Sequence, residues 1–374
     1  MIRLATVLIA LGLASNALAQ TAPPAPAAAP TDIYAPGRAI VADINRIVTP
    51  KGVQETLEVD LGGAKQVINV RGADRDNPIL VFVHGGPASV EMPIAWSFQR
   101  PWEDFFTVVQ WDQRGAGRSY LLNDPKALAP TLKLDRYRDD AIELIEYLRK
   151  RYGQRKVFLM GHSWGSVVGL SVAAKRPDLL YAYIGMGQVI DFRENERLGL
   201  DWTIDQARRD GNATAVGELE AIRPYPGPGA LDLAKTMIQR KWNVHYGALA
   251  AGRPDGDFYF HAGRLSPEYT TADRKAWDDG SEFTMAQLWP QLADISLKDL
   301  DRVDTPVILF MGRHDYTTPA PIADAWLGRL HAPKKQMVWF ENSAHLPMIE
   351  EPGHALAALL TYALPLADPP SAKP

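Results

Sequence analysis

The sequence predicts an α/β fold, a doubly wound and mostly parallel sheet into which a helical cap is inserted. Three observations carry that expectation. Short apolar or β-branched runs alternate with stretches of helical periodicity, the pattern of buried parallel strands joined by crossover helices. The pentapeptide Gly161-His162-Ser163-Trp164-Gly165 stands between one such run and a helical stretch, in a turn too tight for a Cβ at its two flanking glycine positions. Finally, one block, 189–300, carries helix-like segments and no clear strand run.

In order along the chain, Arg3 supplies a positive start, 4–14 is an apolar stretch too short to span a bilayer comfortably, and Ala17-Leu18-Ala19 is a small-residue cleavage site. Residues 1–19 are therefore expected to be a signal peptide cleaved after Ala19, leaving a periplasmic or secreted protein. Residues 20–37, rich in Pro and Ala, cannot build a core and read as a linker. The first part of the core domain spans 38–188. Within it 54–61 and 65–71 suit an antiparallel pair, and 79–83, 106–111, 157–160 and 182–186 suit buried parallel strands. A helix over 134–151 lines up Leu134, Tyr137, Ala141, Leu144, Ile145 and Leu148. The cap takes 189–300, with a helix expected over 231–249. The core resumes over 301–366, with strands at 307–311 and 337–340 and helices at 320–330 and 354–364. Residues 367–374 are expected to be a flexible tail.

With 374 residues, of which 46% are hydrophobic, the chain can bury a sizeable core, and without cysteine it must rely on that core. The lack of cysteine also excludes disulfides, thiol catalysis, Cys-ligated zinc and a lipidated N-terminal Cys. Net charge is −4 with acids and bases interspersed, so neither nucleic acid nor an anionic membrane surface is an expected partner. The expected partner is a small peptide or acyl substrate, with no stable membrane association once the signal is removed.

A serine lifted out of a strand-to-helix turn is placed to act as a nucleophile, and then needs a base, an orienting acid and donors for a developing oxyanion. Of the eight His, His345 follows the last core strand, in the loop 341–345, which topology brings to the same sheet edge as Ser163. His345 is therefore the expected base. Asp315, directly after the strand 307–311, satisfies the order Ser, Asp, His and is the expected acid; Asp191 is the alternative. The Trp164 amide, next to the nucleophile, and the Gly86 amide, in His84-Gly85-Gly86-Pro87 after the third strand, are the expected oxyanion-hole donors. His84 and His162 are read as packing residues, and Asp112 with Arg114 as a local ion-paired turn. No metal or organic cofactor is required, and a serine at the elbow disfavours an aspartate nucleophile.

Four motifs in order, His84-Gly85-Gly86-Pro87, Trp111 to Ser119 (Trp-Asp-Gln-Arg-Gly-Ala-Gly-Arg-Ser), Gly161 to Ser166, and Gly312-Arg313-His314-Asp315, resemble the proline iminopeptidase (prolyl aminopeptidase) branch of the α/β-hydrolases. The resemblance covers roughly 50–190 and 300–365. It implies the capped fold, a triad of Ser163, Asp315 and His345, and release of an N-terminal proline. The chain departs from the family where Ala88-Ser89 replaces a further glycine, and where the Trp242 helix lacks an acid to hold a substrate amine. Glu194, Glu196, Asp257 and Glu268 are alternative acids, each read as a solvated surface charge, and no substrate-binding residue is chosen among them. The readings are thus an aminopeptidase, an esterase or amidase of small acyl compounds with Trp202, Trp242, Trp277 and Trp289 as apolar walls, and a non-catalytic binding protein on this fold.

Overall fold

The computed structural model describes residues 32–368. The expected signal peptide, most of the linker and the last residues of the tail lie outside them. Eight strands form one sheet: β1 (Val53–Leu61), β2 (Ala64–Gly72), β3 (Ile79–Val83), β4 (Thr107–Asp112), β5 (Val157–His162), β6 (Leu180–Met186), β7 (Val307–Gly312) and β8 (Lys335–Phe340). Their order is β1-β2-β4-β3-β5-β6-β7-β8. β1 and β2 form the expected hairpin, turning on Gly62 and Gly63, both at positive φ as a two-residue hairpin turn requires. β2 pairs antiparallel with β4, and all later pairings are parallel.

Both faces of the sheet are covered. On β3, Val81 and Val83 join one apolar cluster, with Leu144, Leu148, Val168 and Trp326, whereas Leu80 and Phe82 join the other, with Phe98, Trp102 and Leu359. That alternation is the period of two of a strand buried on both sides. The helix Leu134–Tyr152 ends where Gly153 adopts a left-handed conformation. Three elements differ from expectation in extent or kind, one being the helix expected over 231–249, which runs only over Leu233–His245. A helix, Ala35–Ile44, begins within the expected linker, where Pro36 suits a first turn because its missing N–H costs nothing there. The helix expected over 354–364 is an α-helix, Pro352–Ala358, continued by a π-helical turn, Leu359–Ala363.

Between β6 and β7 lies the helical cap, with the helices Phe192–Arg209, Ala213–Ala221, Leu233–His245, Asp257–Ala262 and Thr271–Leu292. Its helix starts carry explicit signals. The side chains of Asp191, Asn212 and Asp232 each accept a backbone N–H, and Thr270 with Asp273 forms a capping box. Leu200, Ile204, Leu219 and Tyr225 give the cap a small apolar cluster of its own. Among the described residues no helix is long and apolar enough to cross a membrane.

Chain order reverses beside β3, which lies between β4 and β5. At such a switch point the loops leaving adjacent strands part and open a crevice at their carboxyl ends. Residues 84–87 leave β3 and Ser163 leaves β5 there.

Candidate active site

Ser163 has φ 53° and ψ −119°, a conformation that non-glycine residues rarely adopt, and it caps the helix Trp164–Lys175. Its neighbours explain the glycines. A Cβ on Gly161 would lie 2.2 Å from the Gly165 carbonyl oxygen, and one on Gly165 would lie 2.0 Å from that of Val83. The strained turn is held by the Ser163 N–H donating to the Met186 carbonyl (2.9 Å) and by the Ser166 hydroxyl donating to the Ser163 carbonyl (2.6 Å).

The loops after β7 and β8 bring Asp315 and His345 together. The His345 Nδ1–H donates to Asp315 Oδ2 over 2.8 Å, and both residues are buried. Thr318 completes the acid's surroundings: its N–H donates to Oδ1 (2.7 Å) and its hydroxyl to Oδ2 (2.8 Å). Asp191, the alternative acid, instead caps the first cap helix and pairs with Lys298 at 3.1 Å. Gly187, at φ +54°, backs the imidazole, since a Cβ there would come within 2.8 Å of His345 Cε1. Burial lowers the His345 pKa against the opposing pull of Asp315, so the ring is neutral near pH 7 and able to accept a proton.

Ser163 is joined to this pair through its neighbours, since its N–H bonds the carbonyl of Met186, next to Gly187, and the preceding His162 ring lies 4.8 Å from that of His345; among the described residues its hydroxyl makes no hydrogen bond to His345. Such contacts often tighten only when substrate binds. On its other side, a Cβ on Gly85 would lie 3.0 Å from Ser163 Cβ, which sets the 84–87 loop against the serine. Gly86 is exposed, at φ +110°. Neither the Gly86 nor the Trp164 N–H donates to any described group.

His84 packs as expected. Its Nδ1 donates to the Gly85 carbonyl and its Nε2 accepts the Gln113 N–H, and burial lowers its pKa to about 4. His162 does more than pack. Nε2 donates to the His345 carbonyl (2.9 Å), Nδ1 bonds Glu91, and the ring lies 4.8 Å from that of His345. Burial opposes a charge on this ring, but Glu91 outweighs it and raises the His162 pKa above the ordinary value.

The expected Asp112–Arg114 turn is not formed. Arg114 reaches away to Asp140 (2.8 Å) and to the Leu61 carbonyl, while Asp112 accepts the Arg118 N–H (3.0 Å) and the hydroxyl of the cap residue Tyr269. The two side chains leave the loop on different sides, so Arg114 fastens the loop to the helix Leu134–Tyr152 and Asp112 fastens the cap.

Sequence reasoning missed Glu350. Its Oε2 accepts the N–H groups of Ala344 (2.9 Å) and Leu346 (3.1 Å), on either side of His345, and its Oε1 accepts the N–H of the cap residue Ala251 (2.7 Å). The alternative amine-binding acids fall apart: Asp257 is exposed and Glu268 pairs with Arg71 at 3.2 Å. Glu196 is a correction, since it is buried and not solvated; its charge is met by Arg240 at 2.5 Å and by the Tyr225 hydroxyl. Burial without a partner would be too costly for a carboxylate, so the cap supplies one. Of the four tryptophans, Trp277 and Trp289 are buried and Trp202 stacks on Tyr316, with ring centroids 4.4 Å apart.

Comparison with known proteins places this geometry. The family model described as the alpha/beta hydrolase fold matches residues 78–352, from β3 through the His345 loop. The chain belongs to the α/β-hydrolase family. Within that family this hydrolase is related to the proline iminopeptidases. It is 36% identical over 268 residues to a proline iminopeptidase of Neisseria gonorrhoeae, covering 67% of this chain and 77% of that one. It is 29% identical over 303 residues to the probable aminopeptidase YbaC of Bacillus subtilis, covering 81% and 94%. The crystal structure of a Mycobacterium smegmatis proline iminopeptidase shares the fold, with a TM-score of 0.58 at 19% identity, covering 82% of this chain and 97% of that one.

Proposed function

We propose that this α/β-hydrolase is a secreted serine hydrolase that works through an acyl-enzyme, and that it is an aminopeptidase releasing N-terminal proline or another small residue from peptides. The observation that carries the chemistry is the His345–Asp315 bond of 2.8 Å beside a serine held at φ 53°. His345 takes the Ser163 proton as the oxygen attacks the scissile carbonyl, and Asp315 holds the ring's tautomer and stabilises the imidazolium. The Gly86 and Trp164 N–H groups receive the developing oxyanion. His345 then protonates the leaving amine, and water, activated by the same ring, releases the acyl group. The relatives named above support the peptide substrate, and the leader sequence supports export.

A second reading, an esterase or amidase, has one observation in its favour. The buried acid of the cap, Glu196, is neutralised by Arg240 and is not free to hold a substrate ammonium. Prolyl and other aminoacyl p-nitroanilides, their N-acetylated counterparts and short-chain p-nitrophenyl esters separate the two, each beside Ser163→Ala. The first reading expects turnover of free-amine substrates that acetylation abolishes and Ser163→Ala cuts by about 10³-fold or more. Ester turnover without aminoacyl turnover rejects it, and the absence of any Ser163-dependent turnover rejects both.

A further inference from the structure

A groove of about 340 Å³ runs between the cap and the oxyanion loop, lined by Ser89, Phe260, His261, Arg264, Arg274, Trp277, Asp278 and Ser281. Two features make it more than a surface fold. It opens beside the proposed oxyanion donor: the Ser89 N–H donates to the Gly85 carbonyl (3.1 Å), so Ser89 and the exposed Gly86 belong to one tight turn. It also contains an unused cation. Arg264 is engaged with Tyr34 (3.1 Å), but Arg274 makes no ion pair or side-chain hydrogen bond among the described residues, and its enclosed Nε has no partner. An enclosed guanidinium N–H without an acceptor costs free energy that an anionic ligand would recover. Asp278 is exposed at the groove's rim and Trp277 supplies an apolar wall.

We infer that this groove is a subsite for the leaving part of the substrate, and that Arg274 in it pairs with a carboxylate carried there. The inference rests on the aminopeptidase reading for its choice of substrate. An aminopeptidase acylates its serine with a single residue, so chain that extends past the oxyanion loop belongs to the leaving peptide. An extended peptide covers about 3.3–3.6 Å per residue, so only a short leaving peptide would end, with its free carboxyl, in a groove that opens beside the oxyanion loop. The enzyme is thereby biased toward short peptides with a free carboxyl end. The Arg274 guanidinium matches that carboxylate in the two-pronged geometry a lysine lacks.

The test compares Pro-Gly-Gly with Pro-Gly-Gly-amide, and 4-acetoxybenzoate with its methyl ester, using the full-length protein and Arg274→Gln and Arg274→Lys. The ester pair places the carboxylate on the leaving group without needing an aminopeptidase. We expect the wild type to prefer the free acid by about tenfold in kcat/KM, which corresponds to about 1.4 kcal/mol. Arg274→Gln should erase that preference while leaving the uncharged partner unchanged, and Arg274→Lys should restore part of it. A wild type indifferent to the carboxylate, or an Arg274→Gln variant slowed equally on both members of a pair, overturns the inference. Should the peptides be inert and the esters turned over, the aminopeptidase reading fails, while the ester pair still decides the role of Arg274.

Discussion

Glu350→Gln removes little volume and one charge, yet it strikes the point where three backbone N–H groups converge. In the wild type one oxygen accepts from Ala344 and Leu346 and the other from Ala251. An amide retains one acceptor oxygen, and its NH2 group must face at least one of those donors. A hydrogen bond to a charged group contributes about 1.5–3 kcal/mol, and a buried donor left unpaired costs about 1–3 kcal/mol. The variant should therefore lose about 2–4 kcal/mol of stability, read as a lower urea midpoint with an unchanged slope. Because the donors flank His345, the imidazole also shifts, and a displacement near 1 Å is enough for about a 10²-fold loss of kcat. The assay is kcat and KM on any Ser163-dependent substrate at a temperature where the variant remains folded. A variant that loses stability but keeps wild-type kcat would show that Asp315 and Gly187 position His345 without help, and would refute the reasoning.

Three other outcomes follow, two from charges near the site and one from close packing under the nucleophile turn. Since His345 is active when neutral and its pKa is lowered, the acid limb of kcat/KM should fall below the ordinary value of 6.5; His162→Asn removes a neighbouring cation and should move that limb to higher pH, as a pH–rate profile will read. Burial raises the Asp112 pKa to about 7, so its contribution to stability is fully present below 3.8 and lost as pH rises through about 7; Asp112→Asn should flatten that decline in denaturation midpoints measured from pH 4 to 8. Gly165→Ala would press a Cβ against the Val83 carbonyl, 2.0 Å away, and should remove both soluble folded protein and activity, as circular dichroism and ester turnover would show.

Much of the fold was legible because its signals are local. Apolar runs marked the central strands to within a residue or two, and β5 ran past its apolar run only because its pairing with β6 continues through Gly161–Gly185 and His162–Met186. The elbow, Asp315 and His345 were readable because each sits at a strand end in a fixed order. Glu350 and Thr318 were not, since a Glu in a Glu-Glu pair and a Thr in a Thr-Thr pair look like residues facing water until folding turns the loop back. Glu91 left a faint trace as an acid among apolar neighbours, Val90 and Met92. The Asp112–Arg114 expectation failed because adjacency along a loop says nothing about which way two side chains leave it.

The His345 N–H donates to the carbonyl of Leu249, and Ala251 is tied to Glu350, so the stretch between the cap helices Leu233–His245 and Asp257–Ala262 is also scaffolding for the proposed base. Specificity in this protein is therefore free to drift in one part of the insertion and constrained in another. The helix Ala213–Ala221, held in the cap's separate apolar cluster, can be exchanged between relatives, whereas the first cap helix is bound to the acid's loop through Asn195 and Trp202. The segment 248–251 has to travel with the catalytic domain, and a chimera cut on its wrong side would inherit a new pocket with a misplaced imidazole.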